Sequence, residues 1–120
     1  MTKFKEIYNE ETEEQILWEM ARIKPSVSGL PFKIYASAEP TVEHNLPRLK
    51  VFIDNQFYPM AISTSPYWLT DNIPKIHRKQ LHNLNKFVKG NVDILLKYWN
   101  DEIEEQELYN TLKHIDDLNE

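Results

Sequence analysis

Between Arg48 and Asp54 the side chains alternate. Leu49, Val51 and Ile53 point one way, and Lys50, Phe52 and Asp54 point the other, which is the period of a half-buried strand. Asp54-Asn55-Gln56 supplies turn chemistry, and Phe57 to Ser63 is a second apolar run. The pattern predicts a β-hairpin over 48–63 with Leu49, Val51 and Ile53 facing the core. Pro59 has no N–H for a ladder, so its arm must be an edge strand or carry a bulge. A lone hairpin cannot bury its apolar face, so other elements must cover it.

The flanking sequence supplies them. Thr12-Glu13-Glu14-Gln15 fits a capping box, followed by Ile16, Leu17, Met20 and Ile23 at helical spacing. This predicts an N-terminal helix over 12–23, ended by Pro25. Pro25 to Pro31 reads as a loop, Phe32 to Ala36 as a short strand, and Ala38 to Pro47 as a polar, turn-rich connection. Residues 75–89 form the clearest helix. Gly90 suits a left-handed helix end, and Asn91 can cap a next helix carrying Val92, Leu95, Leu96 and Trp99. Asp101-x-x-Glu104 predicts the start of a last helix, with Leu108, Leu112 and Ile115 as its apolar stripe. Strands followed by helices argue for an α+β domain. The expectation is one domain over 1–120. It has a helix at 12–23, a three-stranded antiparallel sheet within 32–63, and a helical part at 75–118 packed on one sheet face.

Composition removes several chemistries. The 120 residues contain no Cys, so disulfides, thiol catalysis and Cys-bound zinc are excluded, which fits a reducing compartment. The two glycines, Gly29 and Gly90, cannot build a phosphate-cradling loop. No stretch approaches the ~20 apolar residues of a membrane span. Met1 to Glu6 has no apolar core of a secretion signal, so a cytoplasmic protein with no membrane partner is expected.

Charge is segregated within the net of −5. Residues 44–99 carry eight basic and three acidic side chains, whereas residues 100–120 carry Lys113 against eight acids. At 100° per residue, Lys75, Arg78, Lys79, His82, Lys86 and Lys89 share one side of the 75–89 helix. Ile76, Leu81, Leu84, Phe87 and Val88 share the opposite side. These cations, with Arg48 and Lys50 from the same basic middle, are the candidate binding residues. They could hold phosphates or an acidic partner, or be matched by the protein's own acidic C-terminal segment. Arg78 is the helix's only arginine, which weakens a base-reading role. Tyr67 and Trp68 could stack bases or act as lids on the core.

Groups for catalysis are sparse. His77 and His82 are five apart and do not form the i, i+4 pair of a zinc helix. His77 falls on the apolar side and reads as a hydrogen-bonded core histidine, and His82 reads as a surface histidine. His44 lacks a partnered nucleophile nearby, and Gly-x-Ser-x-Gly is absent. Glu102, Glu104, Glu105 and Glu107 read as a solvated helix start complementing the dipole, or as a mimic of spaced phosphates. No cofactor, metal or catalytic residue is expected.

Three segments carry a family resemblance: Gly29-Leu30-Pro31-Phe32-Lys33-Ile34-Tyr35-Ala36-Ser37, then Glu43-His44-Asn45-Leu46-Pro47-Arg48-Leu49-Lys50-Val51, then Leu95-Leu96-Lys97-Tyr98-Trp99-Asn100. In order and spacing the chain over about 28–103 resembles a small bacterial domain, the domain-of-unknown-function 4160 type. Members often read Glu-His-x-x-Pro-His-x-His-Val. Glu43, His44 and Pro47 match, but Arg48 and Lys50 replace the other two histidines, so a three-His site does not carry over. The resemblance implies a small cytoplasmic protein of phages or mobile elements, sometimes in toxin–antitoxin-like pairs. The leading expectation is a non-enzymatic binding protein acting on a protein or protein–nucleic acid complex, as an anti-defence inhibitor or a toxin–antitoxin component. A nucleic-acid-binding module using the 75–89 helix is the alternative. A small hydrolase or nuclease around Glu43, His44 and Arg48 is a third.

Overall fold

The computed structural model describes residues 20–37 and 46–118. Their order is β1 (Met20–Ile23), α1 (Pro25–Ser28), β2 (Lys33–Ser37), β3 (Arg48–Ile53), β4 (Gln56–Ala61), α2 (Arg78–Gly90), α3 (Val92–Trp99), α4 (Glu105–Thr111) and a short 3-10 turn (Ile115–Asp117). The strands form a four-stranded antiparallel sheet in the order β1-β2-β3-β4. Ile34, Leu49, Val51 and Met60 of the sheet share one core with Leu84, Phe87 and Val88 of α2, Leu95 of α3 and Leu108 of α4. The α+β class therefore holds, with four strands among the described residues where three were expected.

The extra strand is β1, which overturns the helical reading of residues 20–23; the rest of that predicted helix, 12–19, lies outside the described residues. Ala21 and Ile23 are fully buried while Met20 and Arg22 are half-buried. That is a period of two, and a four-residue apolar run fits either pattern until a partner decides. Here the partner is β2, with Ala21 opposite Ala36 and Ile23 opposite Ile34. Pro25 starts a helix instead of ending one, and Lys24 before it is extended, at φ −74° and ψ 156°. The one-turn α1 ends at Gly29, whose φ of +83° lies in the left-handed region and whose N–H donates to Pro25 O at 2.7 Å.

Gly29 is also a point of close approach. A Cβ there would collide with His114 Cε1 and lie 2.5 Å from Ile115 Cγ2. Gly29→Ala therefore combines an unfavourable φ with a clash, and is expected to cost about 2 kcal/mol. The check is the urea midpoint, and an unchanged midpoint would show that the 114–115 segment yields freely.

The hairpin forms as the alternation predicts. Asp54 and Asn55 both have positive φ, 49° and 63°, making a two-residue turn of the type whose twist matches the flanking strands. Leu49 and Val51 are fully buried, Ile53 half-buried. β4 lies at the sheet's edge. Pro59 O accepts from Leu69 N–H at 2.8 Å, outside the sheet. In a strand the N–H and C=O of one residue point the same way, so the donor that Pro59 lacks would also face outward and β3 loses no hydrogen bond. Residues 67–69 line that edge, with Ala61 N–H donating to Tyr67 O at 2.9 Å. At the opposite edge, Arg22 N–H on β1 donates to Tyr109 Oη on α4 at 3.0 Å.

Three helix boundaries differ from their predicted places. α2 begins at Arg78, because residues 75–77 are not helical and His77 caps it. His77 Nδ1 accepts from Lys79 N–H at 3.3 Å, so this histidine is an exposed cap and not a core group. Gly90 is helical, with no positive φ, and serves close packing: a Cβ there would meet Leu118 at 2.8 Å. Asp101 closes α3 instead of opening α4. Its φ is 59°, its N–H donates to Tyr98 O at 3.0 Å, and Glu102 N–H donates to Lys97 O at 2.8 Å. Those two bonds are the Schellman pattern, which Asp can complete where Gly is usual. α4 then starts at Glu105.

Asn91 stands between α2 and α3, yet its side chain caps neither by the usual bond. It is 3% exposed, and its amide N donates to Phe87 O at 2.9 Å and Lys113 O at 3.1 Å. Its Oδ1 accepts from Lys113 N–H at 2.8 Å. One amide thus clasps the C-terminal segment onto the end of α2.

Candidate binding surface

The apolar side of α2 is set by Leu84, Phe87 and Val88, which are fully buried. Burying that side turns Arg78, Lys79, His82 and Lys89 outward, and all four are exposed. Lys86 is half-buried on the same side, and Lys75 is exposed in the segment leading into the helix. At 1.5 Å per residue the row from Arg78 to Lys89 runs about 16 Å. The first turn of α2 contains no acidic residue, so its positive end carries Arg78 and Lys79. Acids are the stabilising choice at that position. This arrangement therefore weakens the helix slightly while concentrating positive charge.

Among the described residues no ion pair joins Lys75, Arg78, Lys79 or Lys89 to the carboxylates of 101–107. The acids act elsewhere. Burial, followed by Glu105, Tyr109, Asp101 and Glu104, pushes the Tyr98 hydroxyl up to about 12. Burial and then Glu105 also raise Tyr109. Glu102, Glu104, Glu105 and Glu107 are exposed.

Arg48 and Lys50 do not join the α2 row. They alternate with Leu49, which is buried beneath the helices, so they stand on the opposite face of the sheet. Lys50 lies across from Tyr35 and Pro59. Burial and then the charge of Arg48 pull its pKa down, while Arg48 Nε donates to Leu46 O at 3.2 Å. The eight candidate binding residues therefore divide between two faces. Of the third expectation's residues, Glu43 and His44 lie outside the described residues. Trp68 packs on the core, its ring 6.1 Å from Tyr58, whereas Tyr67 is 50% exposed.

Sequence reasoning passed over a groove of about 390 Å3 beside the α2 row. Its lining comes from β2, the end of β3, and the segment entering α2, and includes Phe32, Lys33, Phe52, Ile53, Lys75 and Ile76. No local motif could mark it, because its residues come from strand, loop and helix-entry segments far apart in the chain. Among the described residues no group of three His, Asp or Glu is placed to hold a metal ion, and no helix is long and apolar enough to cross a membrane. No protein-family model, no curated protein and no solved structure matches the chain.

Proposed function

We propose that the chain is a non-enzymatic binding protein that acts by occupying an acidic macromolecular partner through the basic side of α2. The observation that carries this reading is the exposed row of Arg78, Lys79 and Lys89, continued by Lys75, with no ion pair to the acidic segment of 101–107. An anionic partner would meet charge already gathered and solvent-facing. Such a field also speeds encounter. The mobile-element setting implied by the family resemblance belongs with this proposal, as an inhibitor of a host system or one half of a toxin–antitoxin pair.

Nucleic acid is the second reading, favoured by the linear spacing of the row along one helix. The same experiment separates the two. Lys79→Glu with Lys89→Glu is expected to leave the melting curve within about 0.5 kcal/mol of the parent, since both side chains are exposed. Retention on heparin and binding of a fluorescein-labelled polyglutamate peptide should fall. If duplex DNA binds more tightly than polyglutamate, with a salt slope that flattens in the variant, the nucleic-acid reading replaces the first. Unchanged binding of every polyanion would overturn both.

A further inference from the structure

The groove lies where the α2 row begins, and Lys75 belongs to both. Phe32, Phe52, Ile53 and Ile76 are half-buried, so each packs on the protein with one side and leaves another to the opening. Phe52 is braced from behind by Phe57, with ring centroids 4.7 Å apart. Lys33 and Lys75 line the same groove and are exposed, as is the carboxylate of Asp54. Gln80, on the first turn of α2, adds an amide. Its 390 Å3 falls in the lower part of the range of about 300–1,000 Å3 typical of ligand pockets. That is room for one large side chain with its backbone, and too little for a helix or strand pair.

We propose that this groove seats an apolar side chain (Leu, Phe or Trp) from an acidic linear segment of a protein partner, whose flanking carboxylates meet Lys33 and Lys75. The inference rests on the reading of α2 as an anion-meeting surface and supplies the chemistry of what is met. Charge complementarity names the acids, and the apolar lining names the anchor. The mixed polar lining favours a peptide over a nucleic acid. Asp54 can accept from a peptide N–H, whereas a phosphate at that point would meet a like charge. A peptide can place neutral backbone at Asp54 and carboxylates at the two lysines, which a uniform polyanion cannot.

The test uses the full chain and fluorescein-labelled decapeptides of Asp and Glu with Leu, Phe, Trp or Ala at the centre, beside a ten-residue oligothymidylate. At least one apolar-centred peptide should bind ten-fold or more tightly than the Ala peptide. Lys33→Glu with Lys75→Glu should weaken it at least ten-fold with the melting curve unchanged, and Lys33→Ala with Lys75→Ala should weaken it in the same direction. Lys97→Glu, an exposed residue of α3 that belongs to neither the row nor the groove, should change it less than two-fold. In the 15N-labelled protein, the amides of Lys33, Phe52 and Lys75 should shift on titration. Equal binding of the apolar and Ala peptides, shifts confined to other residues, or tighter binding of the oligothymidylate dependent on Lys33 and Lys75 would overturn the proposal. Failure of the α2 reading is distinct: Lys79→Glu with Lys89→Glu would then leave polyglutamate binding intact. Failure of the groove alone would leave that loss in place while the central side chain made no difference.

Discussion

Val51→Asp should unfold the protein at urea concentrations where the parent is native, with a loss of roughly 4 kcal/mol or more. Val51 is fully buried in the third strand, between Ile34 on one side and Tyr58 on the other. A carboxylate there would have no partner and would either be buried charged or be held protonated, and both options cost stability. Arg48→Asp, on the other face of the same strand, should lose far less. The measurement is urea unfolding followed by tryptophan fluorescence, since Trp99 is buried in α3. Equal losses for the two variants would mean that the strand's faces are assigned wrongly.

Asn91→Ala is expected to cost about 3 kcal/mol, because it breaks three hydrogen bonds at a site almost closed to water. The Lys113 N–H loses its acceptor, and two carbonyls lose a donor. Asn91→Asp should be worse near neutral pH, since it turns a carboxylate oxygen toward the carbonyls of Phe87 and Lys113. The effect should have a local signature. Amides from 112 to 118 should exchange with deuterium much faster than those of the sheet, because the clasp holds that segment. Uniform acceleration across the whole domain would show that the segment and the sheet open together.

The hairpin and the two-sided character of α2 were legible because each follows from a period within one stretch of chain. Alternation over 48–54 placed Leu49 and Val51 inside. The helical period placed Phe87 inside and Lys79 outside. Features settled by a distant partner were not legible. Met20 to Ile23 is too short to choose its own period, and pairing with β2 made it a strand. The Asp101-x-x-Glu104 spacing suits a helix start, but the carbonyls left open at the end of α3 claimed Asp101 and Glu102 first. His77 was misplaced for a related reason, since a wheel drawn from Lys75 assumes helix where the chain is still extended. The candidate surface shows the same limit. Its helical row could be counted off the sequence. The separation of Arg48 and Lys50 from that row needed the packing of helices on one sheet face, and the groove needed the register of β2 on β3.

The two borders of the sheet bear on how the protein survives at high concentration. A free strand border is a template onto which another chain can add, the first step toward fibrillar aggregates. On the β4 side the template is spoiled by Pro59, which offers no donor, and by residues 67–69 lying alongside. On the β1 side, Arg22 offers its donor to Tyr109, a residue 87 positions further along the chain. Protection at that border is therefore borrowed from a short helix whose own hold depends on distant contacts. A chain cut before α4, or one emerging from the ribosome with α4 still unmade, lacks this guard together with Leu108 and Ile115 of the core. A product shortened before α4 is therefore expected to precipitate at concentrations where the full chain stays in solution.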